Sequence, residues 1–251
     1  MKNYRAELHT HTVLSPCASI EMIPPLIIAE AESKNIDILA ITDHNSIDNI
    51  QSVIDAAQDS NITIIPGIEL QTREEIHSIC LFDTMEQISA FYKHILPTFP
   101  DIKNDKDYFG EQFIVDKTGD FIRREERLLI SSADISLSSA FYQVQKHHGL
   151  MIPAHVNRSA YGLFPVLGFV PEDIQIEILE ISKHLDPYDD IDQFPQLSNY
   201  HIIQNGDAHF LEDIIGFNQF KVEQITIDEI TQAIKNQNGR HYNNLFHTIS
   251  V

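Results

Sequence analysis

Apolar runs typical of β-strands alternate with longer helical stretches along the first half of the chain. The runs 4–11, 36–42 and 62–70 predict strands, and the stretches 23–35 and 46–60 between them predict helices. This alternation indicates βαβ units, in which a helix carries the chain back to begin the next parallel strand. We therefore expect an α/β fold built around a parallel sheet.

The segment 96–130 interrupts this alternation. It is polar, and its part 112–130 predicts a β-hairpin that turns at residues 116–119. Because the segment is too short to bury a core of its own, we expect an insertion within a single domain that spans residues 1–251. Further strands are predicted at 150–155, 174–181 and 200–209, and a closing helix at 226–239.

Side chains that can bind metal ions recur where the predicted strands end. They are His9, His11, Asp43, His44, Glu69, His77, His155, Asp207 and His209. A single histidine in such a place is more often a structural residue than a ligand. In parallel α/β barrels, however, the carboxyl ends of the strands meet at one mouth, so these positions would converge there. The other seven histidines lack this placement, and we assign them to helices, turns or surface.

Six motifs carry a family resemblance in their order along the chain. They are ELHTHT at 7–12, ITDHNS at 41–46, GIEL at 67–70, IHSICLF at 76–82, PAHVNR at 153–158 and GDAH at 206–209. Together they resemble the PHP (polymerase and histidinol phosphatase) family of metal-dependent phosphoesterases, over about Tyr4 to Gly216. The resemblance implies a distorted seven-stranded (β/α) TIM-like barrel that holds two or three divalent ions of zinc, manganese or iron.

The resemblance also implies which residues hold each ion. One metal would be bound by His9, His11, Glu69 and Asp207. Glu69 would bridge to a second metal, which His77 and His155 complete, and a third would be served by His44 and His209. Asp43 is a catalytic candidate that would act mainly by orienting these ligands, a role that sets histidine tautomers and basicity.

The chain departs from the family pattern at a few positions. Glu7 stands where many members have aspartate, and Val156 replaces the commoner proline. Cys17 stands where some members supply a further metal ligand. Its thiolate would favour zinc as a ligand; alternatively, Cys17 is a small side chain packed beside a weaker third site, and we expect the second. We assign Cys80 to the core.

Carboxylate-bridged divalent ions suit the hydrolysis of phosphate esters by a metal-activated water. Arg158 is a catalytic and substrate-binding candidate, because a guanidinium offers two donors to a phosphate and this residue follows His155 closely. Arg73 is a weaker second candidate for binding substrate. The alternative for both arginines is a surface salt bridge in an acidic protein.

Charge and composition limit the partners of the chain. Lysine and arginine number 17 against 37 acidic residues, which gives a net charge of −20. Such a surface repels polyanions, so we expect a small phosphorylated metabolite or nucleotide rather than a long nucleic acid. No apolar run reaches membrane-spanning length. The two cysteines offer no disulfide framework, and we expect a cytoplasmic protein.

Two other functions are compatible with the same residues. An amidohydrolase-like enzyme also uses a His-x-His strand and a metal-activated hydroxide, although such sites commonly lack the TDH and GDAH motifs in this order. The other is a non-catalytic, metal-binding regulatory module with a degraded site. The intact ligand motifs argue against it, because a decayed site would have lost several of them. The physiological substrate and the oligomeric state stay open at this point.

Overall fold

The computed structural model describes residues 1–187 and 194–248. Its strands are β1 (Lys2–Thr10), β2 (Ile38–Ile41), β3 (Thr63–Gln71), β4 (His77–Leu81), β5 (Phe113–Val115), β6 (Phe121–Arg124), β7 (Leu150–Pro153), β8 (Ile178–Ile181), β9 (His201–Gln204), β10 (Asn218–Val222) and β11 (His241–Asn244). Its helices are α1 (Pro24–Ser33), α2 (Ile50–Ala56), α3 (Met85–Ile95), α4 (Lys106–Phe109), α5 (Leu137–Lys146), α6 (Leu163–Leu167) and α7 (Ile227–Ile234).

A curled sheet of seven strands, in the order β11-β10-β1-β2-β3-β4-β7, forms half of a barrel. The parallel ribbon β8-β9 lies at its open side. The amide of Val156 donates to the carbonyl of Glu180 at 2.8 Å, which joins the end of β7 to β8. The amide of Ala208 donates to the carbonyl of His9 at 3.0 Å, which joins the end of β9 to β1. The predicted α/β fold with a distorted TIM-like barrel is confirmed.

The parallel sheet that the alternation indicated is present in β1, β2 and β3, but other strands of the same sheet run antiparallel. β1, β2 and β3 are parallel neighbours, but β4 runs antiparallel to both β3 and β7. Only residues 72–76 separate β3 from β4, whereas a parallel connection needs a crossover of a dozen or more residues. β10 is likewise antiparallel to β1. The reversal of β4 places its first residue, His77, at the same end of the sheet as the last residues of β3.

Local sequence signals explain where the longer helices begin. Thr84 starts α3 with a capping box, in which its hydroxyl accepts from the amide of Gln87. Ser136 and Thr226 cap α5 and α7 in the same way through their side-chain oxygens. Within the described residues, no helix has both the length and the apolar character needed to cross a membrane.

The apolar side chains form two layers on opposite faces of the strands. Leu39 and Ile41 of β2 face the layer that contains α1, α2, α3 and α5. Ile38 and Ala40 of the same strand face the layer that contains α7. This alternation is the period of two that a strand requires when both faces are covered. Cys80 is fully buried in the first layer, as expected.

The segment 96–130 contains the predicted hairpin, formed by β5 and β6. It rests on the loops that follow β1 and β2. The amide of Phe113 donates to the carbonyl of Val13 at 3.1 Å, and the side-chain amide of Asn49 donates to the carbonyl of Phe113 at 3.0 Å. Leu14, Ile114 and Leu129 form a small buried cluster between the hairpin and the barrel.

Candidate metal centre

The eight residues predicted to bind metal converge at one end of the barrel. They are His9 in β1, His11 after β1, His44 after β2, Glu69 in β3, His77 at the start of β4, His155 after β7, and Asp207 and His209 after β9. Three overlapping groups among them bring their donor atoms within 4.8 Å of one another: His9, His11 and Glu69; His44, Glu69 and His77; His11, His44 and His209. This clustering is the geometry that the strand-end pattern predicted.

Glu69 lies at the centre of the cluster and is 1% exposed. Its Oε1 is 2.9 Å from Nδ1 of His77 and 3.2 Å from Nε2 of His155. Its Oε2 is 2.8 Å from Nδ1 of His44. Because the two carboxylate oxygens face different histidines, Glu69 is placed to bridge two cations.

Hydrogen bonds fix which ring nitrogens of His9 and His11 face this centre. Nδ1 of His9 lies 3.2 Å from both carboxylate oxygens of Glu180, and Nδ1 of His11 lies 3.0 Å from Oγ of Ser15. The Ser15 hydroxyl donates its one hydrogen to Oδ1 of Asp43 at 2.7 Å. Its oxygen therefore accepts the hydrogen bond from Nδ1 of His11. In the neutral form of each ring Nδ1 carries the hydrogen, so the lone pair is on Nε2.

The two Nε2 atoms point at each other and at a carboxylate. They are 3.2 Å apart, and each is 3.4 Å from Oδ1 of Asp207. Among the described residues no hydrogen-bond donor satisfies this buried Oδ1. Lone pairs and negative charge that converge in this way require a cation, either a proton or a metal ion. Imidazole and carboxylate are the ligands that zinc, manganese and iron accept, so the donor set fits divalent metals.

The ionisation of Glu69 and Asp207 also fits a site for divalent metals. Burial alone would raise the pKa of Glu69, but the charges of His77, His44 and His9 hold that pKa well below its usual value. Burial also opposes ionisation of Asp207, and His9 is the main partner that keeps its pKa well below the usual value. Both groups are therefore carboxylates at neutral pH and available as ligands.

The two histidines of the HTH motif differ in their affinity for protons. Burial opposes a charge on His9, but the surrounding carboxylates, beginning with that of Glu180, raise its pKa well above the usual value. Burial lowers the pKa of His11 well below the usual value, and the charges of neighbouring histidines act in the same direction. His11 is thus neutral at neutral pH, whereas a metal ion bound at His9 would have to displace a proton.

Cys17 lies at the mouth of the cluster and is exposed. Its Sγ is 3.1 Å from Nε2 of His209. The protein atoms around the thiol oppose its ionisation, but His44 and His209 lower its pKa to about 6. This position differs from the packed side chain that we expected, because the loop after β1 turns the thiol toward the histidines rather than into the core.

Asp43 and Arg73 lie away from the open site. Asp43 is fully buried and accepts from the backbone amide and hydroxyl of Thr12, each at 2.7 Å, and from the hydroxyl of Ser15. It is linked to His11 through Ser15 and is not among the residues that line the cavity at the cluster. The guanidinium of Arg73 binds Asp134 at 2.7 Å, where both side chains are exposed, so the geometry gives it no place beside substrate.

Arg158 lies at the mouth of the site. Its Nη1 donates to Oδ2 of Asp207 at 2.7 Å, while Oδ1 of the same carboxylate faces the histidines. The side chain is 44% exposed. It lines a cavity of about 200 Å³ together with Cys17, His44, Glu69, Gln71, His77, Ile130, His155, Tyr161, Asp207 and His209.

A second cleft of about 410 Å³ adjoins this cavity. The two share Cys17, Arg158, Asp207 and His209, and the second adds Ser182, Lys183, His184, Phe210 and Asp213. The ring of Phe210 is 49% exposed. The cluster therefore opens into a space lined by Arg158, by the ion pair of Lys183 with Asp213, and by an apolar ring.

Several non-glycine residues at the site have left-handed backbone conformations. The φ angles are +31° at His155, +62° at Tyr161 and +47° at Asp207. Strained backbone of this kind persists where the surrounding structure holds it, commonly at functional sites. The ring of Tyr161 stacks on that of His77, with centroids 4.4 Å apart and planes 6° apart. All three residues line the cavity, so these backbone conformations occur where side chains surround it.

The sequence analysis missed Ser15, Tyr161 and Glu180. Glu180 had a usable signal, since it is the one charged residue in the apolar run ILEI that forms β8. An acid in a strand buried on both faces needs a partner, and that partner is His9. Ser15 and Tyr161 had no comparable signal, because hydroxyl residues are common in loops.

Solved structures with the same fold support this architecture. The lesion-specific endonuclease Q of Pyrococcus furiosus matches with a TM-score of 0.75 and 19% identity over 96% of this chain, which spans 58% of the endonuclease. A protein of Bifidobacterium adolescentis, assigned as a metal-dependent phosphoesterase, matches with a TM-score of 0.54 and 15% identity over 82% of this chain and 87% of its own. These identities establish a shared fold and no shared substrate.

An amidohydrolase of Chromobacterium violaceum, with bound sulfate and no metal, matches with a TM-score of 0.58 and 17% identity over 96% of this chain and 98% of its own. Among curated proteins, none matches this chain. The sequence profile of the PHP domain, in contrast, matches residues 7–250. That match contains all six motifs and every residue of the cluster, and the chain therefore belongs to the PHP domain family.

Proposed function

We propose that this chain is a metal-dependent phosphoesterase that hydrolyses a small phosphorylated metabolite or nucleotide. The observation that carries the proposal is the bridging position of Glu69, whose two oxygens face separate histidines within 3.2 Å. His9, His11, Glu69 and Asp207 would hold one ion. His77 and His155 would complete a second site, and His44 with His209 would serve a third.

Divalent ions bound there would supply Lewis acidity for activating water and for neutralising the phosphoryl oxygens. The protein contributes the orientation of the ester. Arg158 is held by one nitrogen on Asp207 and extends into the cavity, where the rest of its guanidinium can donate to a phosphoryl oxygen. The salt bridge thereby fixes the distance between the arginine and the metal ligands.

The size and charge of the site favour a small substrate. The cavity of about 200 Å³ suits a phosphate group, and the adjoining cleft of about 410 Å³ can receive the rest of the molecule. Lys183, His184 and Phe210 would contact that part of the substrate. The net charge of −20 opposes a long polyanion approaching the mouth.

A phosphodiester in nucleic acid is a second candidate. It is favoured by the similarity to endonuclease Q, of which one structure contains a 27-mer duplex with an abasic lesion at the active site. That similarity rests on 18% identity and on 58% of the endonuclease chain. We rank this candidate below the small substrate because of the acidic surface.

An assay of four substrates with the purified protein separates these functions. The substrates are p-nitrophenyl phosphate, bis-p-nitrophenyl phosphate, an anilide and a duplex with an abasic site, each tested with added manganese, zinc or iron. We expect hydrolysis of the monoester, loss of that activity with a chelator, and recovery when metal is restored. Glu69→Gln should be inactive, while Glu75→Gln, which alters an exposed carboxylate in the turn before β4, should match the parent.

Each other outcome contradicts the proposal in a defined way. Hydrolysis of the anilide alone would identify an amidohydrolase, and cleavage of the duplex alone would identify a nuclease. Metal-loaded protein that cleaves none of the phosphate esters, and none of a wider panel of phosphorylated metabolites, would indicate a regulatory module.

A further inference from the structure

Glu180 is a buried acid for which the catalytic chemistry above has no direct use. It lies in β8 (Ile178–Ile181) and is 1% exposed, between two fully buried apolar neighbours. Among the residues that line the cavity at the metal cluster, Glu180 is absent. It therefore touches neither substrate nor solvent, and its role must lie in the groups it contacts.

Three donors from three different parts of the barrel converge on its carboxylate. Nδ1 of His9 lies 3.2 Å from both oxygens, and the backbone amide of His155 donates to Oε1 at 3.0 Å. The side-chain amide of Asn205 donates to Oε2 at 2.7 Å. These donors belong to β1, to the loop after β7 and to the loop after β9. Glu180 thus connects the strand ends that carry five of the eight residues of the cluster.

The third donor is itself held in one orientation. Oδ1 of Asn205 accepts from the backbone amide of Leu8 at 3.0 Å and from the side-chain amide of Asn218 at 2.6 Å. With both contacts on its oxygen, Asn205 must present its NH₂ group to Glu180. The amide cannot turn over to compensate for a change of its partner.

We propose that Glu180 is a positioning residue that locks His9 as the Nδ1–H tautomer and aims Nε2 at the metal cluster. Both oxygens of Glu180 already accept from fixed N–H donors, those of His155 and Asn205, so the side chain faces His9 as an acceptor and Nδ1 carries the hydrogen. In the neutral ring the lone pair is then on Nε2, which lies 3.4 Å from Oε1 of Glu69 and 3.4 Å from Oδ1 of Asp207. This inference rests on the proposed metal sites but not on the identity of the substrate.

Replacing the acid by its amide separates this role from simple packing. Glutamine has nearly the same shape, but its NH₂ group is a donor. Since His9, His155 and Asn205 all donate, Glu180→Gln leaves at least one of them facing another donor. Mutating a carboxylate that hydrogen-bonds a metal-binding histidine typically lowers the metal affinity 10- to 100-fold.

Zinc binding by the parent and by two variants tests the proposal. The affinity is measured by competition with a chromogenic chelator, and the ring nitrogens of His9 are assigned by ¹⁵N NMR in the zinc-loaded parent. We expect Nδ1 of His9 to carry the hydrogen, and Glu180→Gln to bind its tightest zinc about 10- to 100-fold more weakly. Glu177→Gln is the matched control, because it removes an exposed carboxylate next to the same strand and should stay within about twofold of the parent.

Two results would overturn the proposal. One is a zinc-loaded parent in which His9 binds through Nδ1, a measurement that needs no variant and is unaffected if Glu180→Gln fails to fold. The other is a folded Glu180→Gln protein with the parent's zinc affinity. Neither readout involves a phosphate ester, so a failure of the proposed substrate class leaves this test intact.

Discussion

His9, in β1, and His11, directly after it, point at the same place, and a different acceptor orients each ring. Glu180 holds Nδ1 of His9, and the Asp43–Ser15 pair holds Nδ1 of His11. Both rings therefore present Nε2 to the cluster. At the residue scale, the metal centre depends as much on these acceptors as on the ligands.

Arg158 should affect catalysis without affecting metal content. Arg158→Ala should lower kcat/KM about 30- to 1000-fold, because losing a charged donor to the transition state costs about 2–4 kcal/mol. Arg158→Lys should recover only part of this loss, since an ammonium lacks the planar fork. Arg73→Ala is the control, with unchanged kcat/KM. An Arg158→Ala enzyme as active as the parent would remove the arginine from the phosphate site.

Cys17 should contribute to one metal site and not to the others. Its contact with His209 places a soft ligand atom beside the third site, so Cys17→Ser should weaken one zinc equivalent and leave the rest. Zinc stoichiometry against chelator concentration measures this effect. Cys80→Ala, in the core, should lower thermal stability and keep the stoichiometry. Equal zinc binding by Cys17→Ser and the parent would restore the expectation that the cysteine only packs.

The β3–β4 hairpin shows how an element's direction shapes the site. Glu69 precedes the turn and His77 follows it, and the antiparallel pairing returns the chain to the same end of the barrel. The order of motifs predicted that both residues serve the cluster. The direction of β4 follows from the short connection of residues 72–76. The alternation of strands and helices earlier in the chain had suggested a parallel strand instead.

Asn45 ties the insertion to the barrel. Its side-chain NH₂ donates to the carbonyls of Leu129 at 2.6 Å and Ser131 at 2.8 Å, and its Oδ1 accepts from the amide of Gln71 at 3.1 Å. Asn45→Ala should therefore lower the free energy of unfolding by about 2–4 kcal/mol, at about 1 kcal/mol for each lost bond plus the cost of unpaired buried groups. Urea denaturation measures this loss.

Asn35→Ala is the matched control for that measurement. Asn35 has a similar φ, +54° against +47° at Asn45, but its side chain is exposed. Both variants carry the same backbone penalty of alanine in the left-handed region. The difference between them isolates the hydrogen bonds of Asn45, and equal stability of the two variants would contradict this account of the insertion.

Arg240, in the segment between α7 and β11, forms an ion pair with Glu229 of α7. The contribution of this ion pair to stability depends on pH. Hydrogen bonding from Arg240 lowers the pKa of Glu229 to about 2, from an ordinary 4.5. A lowered pKa in the folded state stabilises the protein above pH 4.5, and the contribution is lost as the pH falls toward 2. The stability advantage of the parent over Glu229→Gln should thus be larger at pH 6 than at pH 3.

Urea denaturation at about pH 6 and pH 3 measures that advantage. The exposed Glu32, on α1, provides the control, and Glu32→Gln should follow the parent at both values. If the parent were more stable than Glu229→Gln by the same free energy at both pH values, the ion pair with Arg240 would not be what lowers the pKa of Glu229.

At the scale of the whole molecule, the acidic surface and the metal cluster act together. A net charge of −20 repels polyanions, while bound cations, with Arg158 and Lys183 at the mouth, can attract a small anion locally. The sequence motifs were sufficient to predict the barrel and which eight side chains meet. That was possible because the ligands occupy strand ends, where a linear pattern becomes a spatial one.

Other features were beyond prediction because they depend on contacts distant in sequence. Glu180 meets His9 across 171 positions, and no local pattern pairs them. Arg73 and Arg158 both follow ligand-bearing segments, yet only Arg158 faces the cavity, since Asp134 binds the other. The side-chain partners that tune a site are thus harder to predict than its ligands.

The central claim is that eight convergent residues form one centre for at least two divalent ions. Elemental analysis of protein purified without chelator and then reconstituted with zinc or manganese tests it most directly. We expect two or more equivalents of metal per chain for the parent, and a severe loss for Glu69→Gln, which removes the bridging carboxylate. Well under one equivalent in the folded, reconstituted parent would contradict it.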